Sequence, residues 1–227
     1  MVPTLPIHFF LVSKMKQFTK EFLDLSIELG ILKFGEFKLK SGRLSPYFFN
    51  AGLFNTGAAL AKLGRYYAQA LVDSGVEFDM LYGPAYKGIT LAAATAIALA
   101  DEHGINVPYA YNRKEAKDHG EGGVIVGAEI SGKALIIDDV ISAGTSVRES
   151  VELIKQNGGE VAGVLIALDR QEKGESDLSA VQEVERNLDV QVVSIAKLAQ
   201  LVDYLGEADF SEDVVAAVNE YREQYAV

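Results

Sequence analysis

From residue 57 onward the chain alternates between helix-period segments and short apolar runs, and this alternation constrains the fold more than any other feature. GAALAKLGRYYAQALVDSG carries Leu60, Leu63, Tyr67 and Leu71 on one helical face and stops at Gly75. FDMLYG follows as a short strand, GITLAAATAIALADEHG as a largely apolar helix ending at Gly104, and VPYAYN as the next strand. KALIID, VAGVLIALD and VQVVSIA are further strands, with helical segments between and after them. Strands that alternate with helices in this way predict an α/β fold, with a central mostly parallel sheet covered on both faces by helices. Upstream the pattern differs. Phe18, Phe22, Leu25 and Leu29 lie at helical spacing before Gly30, and FGEFKLKSGRLSPYFFNAG alternates, turns at Ser41-Gly42 and runs into aromatics, which predicts a hairpin-like N-terminal piece.

The 227 residues suit one sizeable domain, and no linker, repeat or low-complexity segment divides them. There is no cysteine, so disulfides and thiolate metal sites are excluded, and the three histidines are too scattered to suggest a transition-metal centre. A formal net charge of −11 argues against a nucleic-acid partner, so any anion site must be locally basic. No apolar run approaches the roughly 18 residues of a membrane helix. Residues 1–14, MVPTLPIHFFLVSK, are apolar but lack a basic start and a small-residue cleavage site, so they make a poor signal peptide. Met15 opens an amphipathic helix; we expect 1–14 to be a dispensable extension, 15–227 to be the domain, and the protein to be cytoplasmic.

Ligands of parallel sheets bind beyond the carboxyl ends of the strands. That directs attention to Gly83–Gly88, Arg113–Gly123, Asp138–Ser146 and Asp169-Arg170. In ALIIDDVISAGTSVRES (134–150), a buried strand ends in Asp138-Asp139, and after Val140 and Ile141 only small side chains, Ser142 to Ser146, precede the helical stripe of Val147, Val151 and Ile154. Small residues let backbone N–H groups converge, and a helix N-terminus with free N–H groups is a phosphate site. The acidic pair would hold sugar hydroxyls while the loop holds the phosphate, which points to a sugar phosphate. A plainer explanation is an S-x-x-E capping box from Ser146 to Glu149. Acidic strand ends also occur in magnesium sites of phosphotransfer proteins, but no G-x-x-x-x-G-K-[ST] is present.

RKEAKDHGEGG (113–123) holds Arg113, Lys114, Lys117 and His119 in a polar, glycine-hinged loop. Alone it reads as a solvated loop with balanced charge; beside a phosphate site it suits a lid over diphosphate. SPYFFN places Phe48 and Phe49 on opposite faces of a strand, so one can be core and the other available. Arg170, at a strand end, either grips a planar carboxylate or makes an ordinary ion pair with Glu172. Lys40 and Lys87 follow strands and by themselves are merely solvated lysines.

Taken in order, FGEFKLKSGRLSPYFFNAGLFNTG, GPAYKGI, NRKEAKDHGEGG, ALIIDDVISAGTS and LDRQE resemble the type I phosphoribosyltransferases, and among them the bacterial orotate phosphoribosyltransferases, from about Met15 to the C-terminus. Ser142 stands where many of that family have threonine, which retains the hydroxyl. The resemblance implies the type I phosphoribosyltransferase fold with a small N-terminal hood over about 15–55. It implies transfer of phosphoribosyl from phosphoribosyl pyrophosphate (PRPP) to N1 of orotate, giving orotidine 5′-monophosphate and pyrophosphate in pyrimidine (UMP) biosynthesis. It further implies that Lys40, Tyr86, Lys87, Arg113, Lys114, Lys117, His119, Asp138, Asp139, Val140, Ile141, Ser142, Ala143, Gly144, Thr145 and Ser146 meet PRPP. Phe48, Phe49, Ser142 and Arg170 would meet orotate. Catalysis would rest on Lys87, Lys117, His119, Asp138 and Asp139, with Mg2+ carried by PRPP rather than caged by protein. A homodimer is implied, with the 113–123 lid acting in trans. The competing possibilities are a purine-type phosphoribosyltransferase, which would lack the aromatic hairpin and Arg170, a non-catalytic PRPP sensor or RNA-binding regulator, and phosphotransfer on Asp138 or Asp139.

Overall fold

The computed structural model describes residues 15–39, 41–117, 123–174 and 176–227. The expectations for 1–14, Lys40 and His119 fall outside these residues, and Lys117 enters through its backbone alone. Helix α1 (Gln17–Glu28) comes first, and a two-stranded antiparallel hairpin, β1 (Leu32–Lys38) and β2 (Leu44–Phe49), follows it. Phe22, Leu23 and Leu25 give α1 its buried stripe. Leu32 pairs with Phe49 and Phe34 with Tyr47, so the alternating sequence of SPYFFN sends Ser45, Tyr47 and Phe49 inward and leaves Phe48 outward.

The alternating part of the chain folds as its pattern dictates. Helix α2 (Gly57–Ser74) is capped by Thr56, whose hydroxyl accepts from the Ala59 N–H, and ends at Gly75 with φ of +69°. Strand β3 (Met80–Gly83), helix α3 (Lys87–His103) and strands β4 (Tyr109–Lys117), β5 (Gly123–Gly127) and β6 (Lys133–Ile137) come next. Helix α4 (Thr145–Gln156), β7 (Glu160–Asp169), α5 (Ala180–Leu188), β8 (Val192–Lys197), α6 (Leu198–Glu207) and α7 (Glu212–Tyr225) complete the chain. The sheet order is β5-β4-β3-β6-β7-β8, parallel throughout except for the β4–β5 pair.

Two apolar layers explain why the strands are apolar on successive residues. Leu81, Leu135, Ile137, Leu165 and Ala167 face one cluster with Leu63, Tyr67 and Leu71 of α2 and Leu91 and Leu99 of α3. Met80, Tyr82, Ile136, Val164 and Ile166 face the other, with Val147, Val151 and Ile154 of α4 and Val181 and Val184 of α5. Each such aliphatic side chain stabilises the fold by about 1.5–3 kcal/mol through burial. α2 and α3 come close enough that a Cβ at Gly64 would stand 2.5 Å from the Ala94 carbonyl oxygen, so Gly64→Ala would force the helices apart.

One expectation needs correction. Residues 113–123 read as a polar loop, but 113–117 continue β4 and pair with β5, with Asn112 opposite Ile125 and Lys117 opposite Gly123. Backbone ladder bonds need no apolar side chain, and the short GVIVG strand supplies the partner. Residues 113–117 run past the end of β3, whose pairing with β4 stops at Gly83 opposite Tyr111, so this stretch is open on one flank and its charged residues remain compatible with strand.

Candidate active site

Strands β3 and β6 lie side by side, but the chain leaves β3 toward β4 on one flank, whereas β6 continues to β7 on the other. This is a switch point in strand order, where open α/β sheets form a crevice. A cleft of about 450 Å³ lies there, lined by Pro84, Ala85, Tyr86 and Lys87 after β3 and by 138–147 after β6. The backbone at its floor is too close for side chains: a Cβ on Gly88 would meet the Ile137 carbonyl oxygen at 2.8 Å and Pro84 Cδ at 2.6 Å. A hollow of similar volume between α1 and α2, lined by Phe18, Glu21, Asp24, Lys62 and Arg65 among others, includes none of the residues that follow the strands.

Both aspartates are buried and fixed. The Asp138 carboxyl accepts from the Asp139 N–H at 2.8 Å and from Ser146 Oγ at 3.0 Å, and its carbonyl accepts from the Tyr67 hydroxyl at 2.7 Å. Burial raises Asp138 to about 6; the Asp139 N–H opposes this and the Asp139 charge adds to it. The Asp139 carboxylate accepts from Lys87 Nζ at 2.6 Å, and its carbonyl accepts from the Ala167 N–H at 2.9 Å.

Gly144 caps α4 with φ of +68°, and no side chain caps this helix. Ser146 points its hydroxyl at Asp138 instead, so the capping box that Ser146 and Glu149 offered is not formed. The first-turn N–H groups thus face the cleft side of the loop without a side-chain acceptor. Ser142, Ala143, Thr145 and Ser146 are exposed, Ile141 and Gly144 buried. The loop is compact because a Cβ on Gly144 would press on Val184 Cγ2 at 2.7 Å.

On the opposite wall, Lys87 begins α3 and Tyr86 precedes it, with the Ala85–Tyr86 peptide cis. The Ala85 N–H donates to Asn112 Oδ1 at 3.0 Å, which ties this wall to β4. Lys114 Nζ lies 5.0 Å from the centre of the exposed Tyr86 ring of the same chain. Arg113 Nη1 donates to the Gly123 carbonyl at 3.4 Å across the hairpin.

Of the residues expected around a base, Ser142 lines the cleft, whereas Phe48, Phe49 and Arg170 are not part of its lining. Phe49 is core, 6.1 Å from Phe22, whereas Phe48 is exposed and stacks on Phe37 at 5.5 Å. Arg170 makes the Glu172 ion pair that was its plainer reading, also donates to Ser45 Oγ at 3.2 Å, and covers the Tyr47 ring. The sequence reading overlooked Ser45, Tyr47, Tyr67 and Asn112. Period-two alternation in SPYFFN could have marked Ser45 and Tyr47 as inward; nothing local in the sequence marks Tyr67 or Asn112.

A phosphoribosyl transferase domain model matches residues 52–200. The chain is 61% identical over 213 residues to orotate phosphoribosyltransferase of Alteromonas mediterranea, which covers 94% of this chain and 100% of that protein. The orotate phosphoribosyltransferase of Shewanella oneidensis is 59% identical, over 94% of this chain and 99% of its own length. A solved structure of orotate phosphoribosyltransferase from Francisella tularensis superposes with a TM-score of 0.84 at 44% identity, over 91% of this chain and 100% of that one. An acidic pair and an uncapped helix N-terminus at the switch point of a parallel sheet, in a chain this close to whole relatives, place it in a family: it belongs to the orotate phosphoribosyltransferases, a branch of the phosphoribosyl transferase domain family.

Proposed function

We infer that the chain transfers the phosphoribosyl group of PRPP to N1 of orotate, yielding orotidine 5′-monophosphate and pyrophosphate. The observation that carries this reading is one cleft in which Asp138, Asp139 and the open N-terminus of α4 face Lys87, in a chain so similar to relatives of that name. The bond from the anomeric carbon to the diphosphate oxygen breaks as the bond to N1 forms. The N1 proton is lost, and the diphosphate leaves with its electron pair. Asp138 and Asp139 accept from the ribose hydroxyls, and the N–H groups of 140–146 hold the 5′-phosphate. Lys87, Arg113, Lys114, Lys117 and His119 stabilise the negative charge that grows on the leaving diphosphate, and Lys117 or His119 gives it a proton. Lys40 and Tyr86 complete the PRPP contacts, while Phe48, Phe49, Ser142 and Arg170 take the planar base and its carboxylate.

A magnesium ion bound to PRPP would neutralise part of the diphosphate charge. The two carboxylates at the cleft suit contact with its waters, and both are already engaged by protein donors, which favours an ion carried in by the substrate. We propose a homodimer in which Lys117 and His119 serve the neighbouring cleft. The resemblance implies Lys114 in trans with the rest of the lid, but Lys114 stands against Tyr86 of its own chain, which supports a role for that residue in cis instead. The cytoplasm is the setting we propose, and among the described residues no helix is long and apolar enough to cross a membrane. Relatives whose whole length is matched by 213 residues of this chain support treating 1–14 as dispensable.

Loss of orotate absorbance in the presence of PRPP and magnesium tests the reaction, with uracil, hypoxanthine and adenine as alternative bases. Turnover of orotate alone is expected. Turnover of a purine would retain the PRPP site and discard the base assignment, and PRPP binding without turnover of any base would favour a regulator.

A further inference from the structure

Arg170 is held from several sides by groups that the chemistry of transfer does not use. Its Nε donates to Glu172 Oε1 at 2.8 Å, its Nη2 also pairs with that carboxylate and donates to Ser45 Oγ, and its guanidinium lies 4.7 Å from the centre of the Tyr47 ring. Glu172 is itself a junction. The Tyr221 hydroxyl donates to Oε1 at 2.9 Å, the Tyr47 hydroxyl reaches it at 3.5 Å, and Arg43 Nη1 stands 3.8 Å from Oε2. The C-terminus is laced to the same short segment: the Lys173 N–H donates to the Tyr225 carbonyl at 2.8 Å and the Val227 N–H to the Gln171 carbonyl at 3.0 Å. Arg43 from the β1–β2 turn and Tyr221 from α7 thus converge on the Glu172 carboxylate in the segment after β7, and that carboxylate holds the Arg170 guanidinium.

The charges in this cluster are unbalanced in a useful way. Two guanidinium groups and one carboxylate leave one positive charge. Neither tyrosine alters that sum near neutral pH, since burial pushes Tyr221 up to about 12 and Tyr47 higher still. An unanchored arginine would lose rotamer freedom whenever it closed on a ligand, whereas one already fixed by a carboxylate, a hydroxyl and a ring does not.

We propose that Glu172 is a positioning residue for base recognition: with Ser45, Tyr47 and Tyr221 it fixes the Arg170 guanidinium and leaves the cluster with a single positive charge for a planar base bearing one carboxylate. This rests on the assignment of Arg170 to orotate, and it adds α7 to the parts of the fold on which base affinity depends.

Steady-state kinetics on four variants test it. Glu172→Gln keeps the side-chain volume and removes the carboxylate that anchors Arg170. Although a second positive charge is uncovered, loss of the anchor is expected to dominate and raise KM for orotate by about tenfold while KM for PRPP changes by less than about twofold, and a lowered orotate KM would overturn the proposal. Tyr221→Phe removes one hydrogen bond, preserves packing, and should shift the orotate KM in the same direction by a smaller factor, so it carries the test if Glu172→Gln folds poorly. Glu172→Gln combined with Arg170→Ala should behave as Arg170→Ala alone, because Glu172 acts through Arg170. A parallel rise in both KM values, an unchanged orotate KM in Glu172→Gln and Tyr221→Phe, or an effect that adds in full to Arg170→Ala would overturn the proposal while leaving Arg170 at the base. An unchanged orotate KM in Arg170→Ala would instead remove the base assignment, and the proposal with it.

Discussion

The ammonium of Lys87 and the carboxylate of Asp139 stand 2.6 Å apart across the cleft, one at the start of α3 and the other at the end of β6. Without substrate they neutralise each other. In the proposed mechanism Asp139 turns to the ribose and Lys87 to the diphosphate, so PRPP replaces one internal ion pair with two contacts of its own. The Lys87 side chain is 55% exposed but that of Asp139 only 10%, so solvent screens the pair from the lysine side alone and its loss costs on the order of 1 kcal/mol. Lys87→Gln should therefore lower kcat/KM for PRPP by roughly 10²–10³-fold, with a fall of only a few degrees in Tm. Paired kinetic and thermal-melt measurements check this. A large fall in Tm with a proportionate fall in activity would make the pair structural.

Asp138 supplies a pH prediction. Burial holds its carboxyl at about 6, above the ordinary carboxylate range, so the free protein keeps a proton there that an exposed aspartate would have lost. The ribose hydroxyls need the ionised form as acceptor. PRPP capture is thus complete above the folded pKa and is lost as pH falls through it, with kcat/KM dropping about tenfold per unit on the acid side. Asp138→Asn should be weakly active and flat across that window. Profiles that bend in parallel for both proteins would assign the inflection to the phosphates of the substrate.

Much of this site was legible because local patterns specify it. Apolar runs on both sheet faces, helix stops at Gly75 and Gly104, and an acidic pair before small residues each depend on a few neighbouring residues. What escaped was set by distance in sequence. Tyr67 donates to the Asp138 carbonyl across 71 positions, and Arg170 meets Ser45 across 125. The β4–β5 hairpin escaped for another reason: its side chains from 113 to 117 are polar, and backbone pairing at an edge leaves no apolar signature. Ser146 shows local grammar misleading, since a tertiary carboxylate outcompeted the helix N-terminus for its hydroxyl.

Subunit mixing tests the division of labour along the lid. Lys117→Ala removes a lid cation and keeps the cleft; Asp138→Asn spoils the cleft and keeps the lid. If Lys117 serves the neighbouring subunit, a mixed dimer pairs the intact cleft of the first variant with the intact lid of the second and regains one working site. Random reassortment makes half the dimers mixed, so about a quarter of full activity should return. Lys114 is expected to behave differently, because it stands over Tyr86 of its own chain. Lys114→Ala mixed with Asp138→Asn should regain nothing, since the only intact cleft still lacks its own Lys114. Recovery in the Lys114 mixture would move that residue to the partner's site, and no recovery in the Lys117 mixture, with mixed dimers verified by two affinity tags, would make the lid act within its own chain.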